Sequence, residues 1–319
     1  MSKDVYPYVG IPSFMSRTPI KKELDGDEDV VIVGVPFDGG VVYKPGTRFG
    51  PQAIRRVSML YRFYDQKKGL FDVNKQRMVL KGVKMVDWGD VEVTFGNTTV
   101  ALQEIYTQVK KVLNPNSLFI FLGGDHSITF PLVKAFSEVF PSLAVLHLDS
   151  HMDLLERYGP IRDSHSSPFR RIIDDTPLEA SDITLIGTRG FLNSYEAYSY
   201  AKKEGEIIIT MEEFMRRGVD GVTEEIIKKV SDRPLYVSVD IDALDAPYAV
   251  GTGVPEPGGF SYVELSEVLS RLFEALDVKG MDLVEVSPLY DVNDITARVA
   301  VELIIRALGG RFHEDVLGT

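Results

Sequence analysis

Short apolar runs recur along the chain at 29–34 (DVVIVG), 117–122 (SLFIFL), 143–148 (LAVLHL), 183–187 (ITLIG), 235–239 (LYVSV) and 281–286 (MDLVEV). Each has the length of a strand and is apolar at nearly every position, the pattern of a strand buried on both faces of a parallel sheet. Between the runs the apolar positions adopt helical spacing. Leu102, Ile105, Tyr106, Val109, Val112 and Leu113 form one such stripe, and Leu265, Val268, Leu269, Leu272, Phe273 and Leu276 another. The second is preceded by Ser261 and Glu264, spaced as a capping box. The stretch ITARVAVELIIRALGG predicts a last helix closed by Gly309. Strand and helix alternate throughout, which predicts an α/β fold with three layers, α/β/α, around a mostly parallel central sheet. No linker or internal repeat interrupts the pattern, so a single domain over 1–319 is expected. The polar stretch 64–82 reads as a surface excursion.

Composition then removes several classes of function. With 44% hydrophobic and 26% charged residues among 319, the chain is neither fibrous nor disordered. No run approaches the roughly 18 apolar residues of a membrane span, and MSKDVYPYVG lacks a leader pattern, so a cytoplasmic protein without a membrane partner is expected. Cysteine is absent, which leaves nitrogen and oxygen as the only strong metal ligands. The excess of 47 acidic over 35 basic residues, net −12, disfavours nucleic acid as a partner and mildly favours a cationic small molecule.

Parallel sheets bind ligands beyond the carboxyl ends of their strands, and there this chain places its acids and histidines. SLFIFL leads into Asp125 and His126, LAVLHL into Asp149, His151 and Asp153, and LYVSV into Asp240 and Asp242; MDLVEV holds Glu285. Alternation in extended backbone would align Asp149, His151 and Asp153 on one side, and Asp240 with Asp242. His147 is expected to face away from His151, as a core histidine with a hydrogen-bond partner. His313, in the polar tail, is expected to be solvated. Taken singly, a D-x-D at a strand end serves a turn or cap as well as a metal, and His126 could cap a helix. Jointly, six nitrogen and oxygen ligands would bury more negative charge than a fold tolerates without cations, so two divalent ions are expected.

GGDHS, DSHMD and SVDIDALD, in this order, resemble the ureohydrolases, the arginase and agmatinase family. The resemblance extends over GVPFD (34–38), PGTRFGPQAIR (45–55), GTRG (187–190), GTGVPEPGG (251–259) and EVSPLYDVNDITA (285–297). The PGTRFGP and GTGVPEPGG segments are more like agmatinases than arginases. The resemblance implies an arginase-like fold and two Mn²⁺ per chain. One ion would be held by His126 and Asp153, the other by His151 and Asp242, with Asp149 and Asp240 bridging. It further implies that Glu285 binds the guanidinium and that His165, in RDSHSSPF, passes a proton to the leaving amine. The implied reaction is hydrolysis of agmatine to putrescine and urea, in polyamine biosynthesis, by a homo-oligomer, trimer or hexamer. Imidazole and carboxylate ligands without sulfur suit Mn²⁺, with Zn²⁺, Ni²⁺ and Co²⁺ as competitors.

Two departures bear on the substrate. Ser166 and Ser167 follow His165 where agmatinases usually carry Gly and Thr, and the loop 154–163 (LLERYGPIRD) does not reproduce the arginase pattern. L-Arginine is therefore expected to be a poor substrate. Arg157 and Arg162 lie in that loop, and aimed at the entrance they would favour a carboxylate tail, which keeps a guanidino acid hydrolase as the alternative. A catalytically silent metal-binding scaffold is the third reading. The Gly50–Pro51 pair reads as an ordinary helix start and not as an anion cradle.

Overall fold

The computed structural model describes Tyr6, residues 8–16 and residues 20–315. The chain begins with β1 (Val30–Gly34), α1 (Gly50–Ser58), β2 (Leu70–Asp72), β3 (Arg77–Val79) and β4 (Met85–Asp90). It continues through α2 (Thr98–Val112), β5 (Leu118–Leu122), α3 (Thr129–Val139), β6 (Ala144–Leu148), α4 (Pro168–Asp175), β7 (Ile183–Ile186) and α5 (Tyr195–Glu204). The last third holds β8 (Ile207–Ile209), α6 (Met211–Val230), β9 (Leu235–Asp240), α7 (Tyr262–Ala275), β10 (Val278–Val284), α8 (Ile295–Arg311) and β11 (His313–Asp315).

Among the described residues, eight strands form one sheet in the order β4-β1-β5-β10-β9-β6-β7-β8. Every pairing in it is parallel. Alternate residues of each strand feed opposite layers. Val30, Ile32, Leu118, Ile120 and Leu122 pack with α1, α6, α7 and α8, whereas Val31, Val33, Phe119 and Phe121 pack with α2, α3, α4 and α5. The fold is the three-layer α/β/α arrangement expected from the alternation. Each large apolar side chain so buried contributes about 1.5–3 kcal/mol. Ser261 and Glu264 form the capping box of α7, and Pro51 occupies the first turn of α1, both as the sequence indicates.

The strand order also positions the chemistry. From β5 the chain crosses by α3 to β6, leaving two places that β10 and β9 later fill. The four strands whose ends carry candidate site residues are therefore neighbours, β5-β10-β9-β6, and their loops meet above the middle of the sheet.

Some expectations need correction. The stretch 64–82 is more than a surface excursion: it supplies β2 and β3, which pair with β11 in a small antiparallel sheet and bury Tyr64, Leu70, Arg77 and Val79. His313 lies in that sheet, half-buried, with Nδ1 2.9 Å from the Gly310 carbonyl. Gly309 does not end the last helix, since α8 runs to Arg311. A Cβ on Gly310 would lie 2.1 Å from the Ser270 carbonyl oxygen, so the glycine lets α8 press against α7. Among the described residues, no helix is long and apolar enough to cross a membrane.

Candidate active site

Each strand end turns its polar residues inward by a local device. After β5, Asp125 accepts from the Ser127 backbone N–H at 2.9 Å and starts a single 3-10 turn at His126–Ile128. After β9, Asp240 does the same with the Asp242 N–H at 2.8 Å, over Ile241–Ala243. After β6 the backbone is not extended, contrary to the alternation argument. Asp149 accepts from the His151 N–H at 2.6 Å, and Asp153 takes a left-handed φ of 50°. Glu285, just past β10, has φ 61°. Such backbone costs on the order of 1–3 kcal/mol per residue and persists where surrounding structure imposes it, typically at functional sites.

These turns bring together all six candidate ligands. His126 Nδ1 lies 3.0 Å from Asp149 Oδ2, 3.0 Å from Asp153 Oδ2 and 3.2 Å from Asp240 Oδ2. His151 Nδ1 lies 3.1 Å from Asp242 Oδ2 and 3.5 Å from Asp149 Oδ1. The two oxygens of Asp149 thus face different imidazoles. Ligand atoms of His126, His147, Asp149 and Asp153 fall within 4.8 Å of one another, as do those of Asp149, His151 and Asp242. Asp149 belongs to both groups, and either group could hold a metal ion.

The far side of His126 shows why a cation fits. Its Nε2 is 2.9 Å from Ser238 Oγ, and that hydroxyl donates to Asp282 Oδ1 at 2.7 Å. With the Ser238 proton committed, the imidazole N–H is Nε2–H, leaving a lone pair at Nδ1. Nδ1 is buried, has no hydrogen-bond partner among the described residues and faces three carboxylates. Lone pair against carboxylate is repulsive unless a proton or a metal ion lies between. Asp282 is itself held by Thr129 Oγ1 at 2.9 Å and the Tyr236 hydroxyl at 2.8 Å. A ligand imidazole braced by a hydroxyl and a carboxylate is the usual second layer of a metal site.

The carboxylates of the cluster press both imidazoles toward their charged form. Burial opposes a charge on His126, but Asp149, Asp153 and Asp240 outweigh it and hold its pKa well above the imidazole range. Burial likewise opposes a charge on His151, and Asp242 with Asp149 overcomes it, raising its pKa to about 12. Burial, with repulsion from Asp242 and Asp149, pushes Asp240 well above the usual carboxylate range. A metal ion must displace these protons. Loading with Mn²⁺ near neutral pH is expected to release more than one proton per chain. Calorimetry in buffers of different ionisation enthalpy measures this; metal uptake without proton release would exclude the imidazoles as ligands.

His147 departs from its expected orientation. It is a buried histidine with a partner, as expected, but that partner is Asp149 itself, with Nε2 2.8 Å from Oδ2. Positions 147 and 149 are two apart and share a side. The ring stacks on Phe169 at 3.6 Å between centroids, and burial pulls its pKa down to about 4. The sequence signal for its role was the parity it shares with Asp149. Ser238 and Asp282 were also missed. The available signal was a lone Asp inside the apolar run MDLVEV, which needs partners to be buried.

Glu285 and His165 meet beside the cluster. Glu285 Oε1 accepts from the His126 backbone N–H at 2.9 Å and lies 3.0 Å from His165 Nδ1. Burial disfavours the charged imidazole, but Glu285 outweighs it and raises the His165 pKa to about 9. The His165 backbone N–H donates to the Gly40 carbonyl at 2.9 Å, and the Gly40 N–H donates to Asp125 Oδ2 at 2.7 Å. Arg189, from the GTRG segment, donates to the carbonyls of Asp242, Leu244, Glu256 and Pro257 at 2.7–3.0 Å, tying the ligand loop after β9 to the loop that follows.

A cavity of about 390 Å³ opens over the cluster. His151, Asp153, His165, Asp240, Asp242 and Glu285 line it, and no lysine or arginine among the described residues does. Arg162 is instead paired with Asp163 at 3.1 Å and Asp175 at 2.6 Å, and Arg157 is exposed beside Glu156.

The model of the Arginase family matches residues 28–309. Proclavaminate amidinohydrolase of Streptomyces clavuligerus is 39% identical over 298 residues, 93% of this chain and 91% of that protein. Its solved structure superposes with a TM-score of 0.85 at 36% identity, covering 96% of this chain and 98% of the other. The mitochondrial agmatinase of Gallus gallus is 34% identical, covering 94% of this chain and 85% of its own length. The human mitochondrial guanidino acid hydrolase is 32% identical, covering 94% and 82%. A histidine–aspartate cluster with Glu285 beside it, at the carboxyl ends of four adjacent parallel strands, and a match over nearly the whole chain lead to one conclusion: the protein is a hydrolase of the Arginase family, acting on amidino groups.

Proposed function

We propose that this protein is a binuclear manganese amidinohydrolase that releases urea from a linear guanidino compound, with agmatine ahead of guanidino acids and L-arginine. The observation carrying the reading is the division of the Asp149 carboxylate between the His126 and His151 sides of the cluster. In this reading His126 and Asp153 would hold one ion and His151 and Asp242 the other, with Asp149 and Asp240 shared between them. Four aspartates balance two divalent charges. When bound, such a pair lowers the pKa of a water enough to make it a nucleophile at neutral pH.

The remaining work falls to the chain's own groups. Glu285 Oε1 is already engaged by His126 N–H and His165, so Oε2 is the oxygen left to accept a guanidinium N–H. His165, held by that same carboxylate, is placed to hand its proton to the nitrogen that leaves as amine. Water adds to the guanidino carbon, the C–N bond to the substrate chain breaks, and urea and a protonated amine depart.

The substrate order follows from charge. A carboxylate tail finds no cation among the described residues that line the cavity: Arg157 is exposed beside Glu156, and Arg162 is paired with Asp163 and Asp175. In this reading that favours agmatine over a guanidino acid. A colorimetric urea assay on the Mn²⁺-loaded protein tests this, and kcat/KM is expected to fall from agmatine to guanidinobutyrate to L-arginine. A higher value for guanidinobutyrate would reject agmatine and leave the chemistry standing. Urea from any of them removes the silent-scaffold reading.

A further inference from the structure

The charges of the cavity lie in the cluster of His151, Asp153, His165, Asp240, Asp242 and Glu285, and its other walls are uncharged and mostly apolar. Val42 and Tyr43 come from the loop after β1, Leu155 and Tyr158 from the loop after β6, Leu192 from the loop after β7 and Val254 from the loop after β9. Tyr43, Tyr158 and Leu192 are 69%, 49% and 63% exposed, so apolar surface stands open to water at a catalytic mouth. The polar lining side chains there are largely committed. Asn193 accepts from the Met152 N–H at 2.9 Å and donates to the Ser150 carbonyl at 3.0 Å, and Ser194 Oγ caps α5. Thr252 and Ser166 remain, and both are neutral. The nearby cations are engaged too: Lys44 Nζ sits 5.2 Å from the Tyr43 ring centroid and 5.3 Å from that of Tyr290, and Arg189 is clamped by carbonyls.

A guanidino substrate bound with its head at Glu285 must lay its tail along these walls. An ammonium at the tail's end would lose water and gain no counter-ion, and a carboxylate would fare no better. A methyl or aryl group would instead cover exposed tyrosine and leucine surface. We infer that the preferred substrates are guanidines with an uncharged alkyl or aryl tail, which outrun agmatine; the inference rests on the amidinohydrolase reading and specifies its substrate class.

The test uses the full chain loaded with Mn²⁺ and measures urea from propyl-, butyl-, pentyl- and phenethylguanidine beside agmatine and guanidinobutyrate. From propyl to pentyl, kcat/KM is expected to rise about threefold to fourfold per methylene. Pentylguanidine, which matches agmatine in length, is expected to exceed it by about tenfold. Leu192→Glu, at an exposed wall position, should shift the ratio toward agmatine by about fivefold. Agmatine at or above pentylguanidine in the unaltered protein overturns the inference while leaving the amidinohydrolase intact, as does a Leu192→Glu ratio that does not move. No urea from any guanidine, with metal bound, overturns the amidinohydrolase reading itself.

Discussion

Asp149→Ala is expected to lose both manganese ions and to lower urea formation by about 10⁴-fold or more, because the nucleophile depends on the metal pair. Among the described residues Asp149 is the carboxylate shared by the two groups that could hold a metal ion. Its Oδ2 faces His126 and His147, and its Oδ1 faces the ring and backbone of His151. Removing it deprives both metal positions of a ligand and leaves His147 Nε2 without its partner. His126→Ala is the contrasting case, since it strips one side and should mainly weaken one ion. Elemental analysis after dialysis separates the two variants, and an Asp149→Ala protein that kept two manganese ions and full activity would show that Asp149 is not a bridge.

His165→Ala is expected to keep its metal and lose about 10²- to 10⁴-fold in kcat, the usual worth of a general acid or base. The reason is geometric. His165 contacts Glu285 and the Gly40 turn and belongs to neither metal-holding group. Its loss should therefore leave manganese content unchanged. Glu285→Gln preserves the oxygen that accepts from the His126 N–H, so it too should retain metal, and its defect should appear in KM as the charged acceptor for the guanidinium is lost. Metal loss in His165→Ala, or kcat near that of the unaltered protein, would remove the proton-transfer role.

The central strands were legible because burial on both faces writes an unbroken apolar run. The edge strands were not. β4 carries Asp87 and Asp90, which make sense only once Arg55 of α1 is seen to pair with both, and β8 is three residues long. The β2–β3 hairpin hides among lysines and glutamines because its third strand comes from the far end of the chain. The six acid and imidazole candidates stood out because polar residues at the ends of buried strands have few structural uses. The groups that brace them did not, since they depend on pairing: Ser238 and Asp282 are register partners on β9 and β10, far apart in sequence. The route by which the candidate ligands converge was also hidden. Asp149, His151 and Asp153 meet through a hydrogen-bonded turn and a left-handed residue, where strand alternation had suggested a simpler path.

The most direct test is to strip the protein with chelator, add Mn²⁺ in steps, and follow bound metal and product together with agmatine and an alkylguanidine as substrates. The account predicts that urea appears with an equimolar amine and that its rate saturates at two manganese ions per chain. Saturation at one ion, or release of ammonia in place of urea from a fully loaded protein, would contradict it.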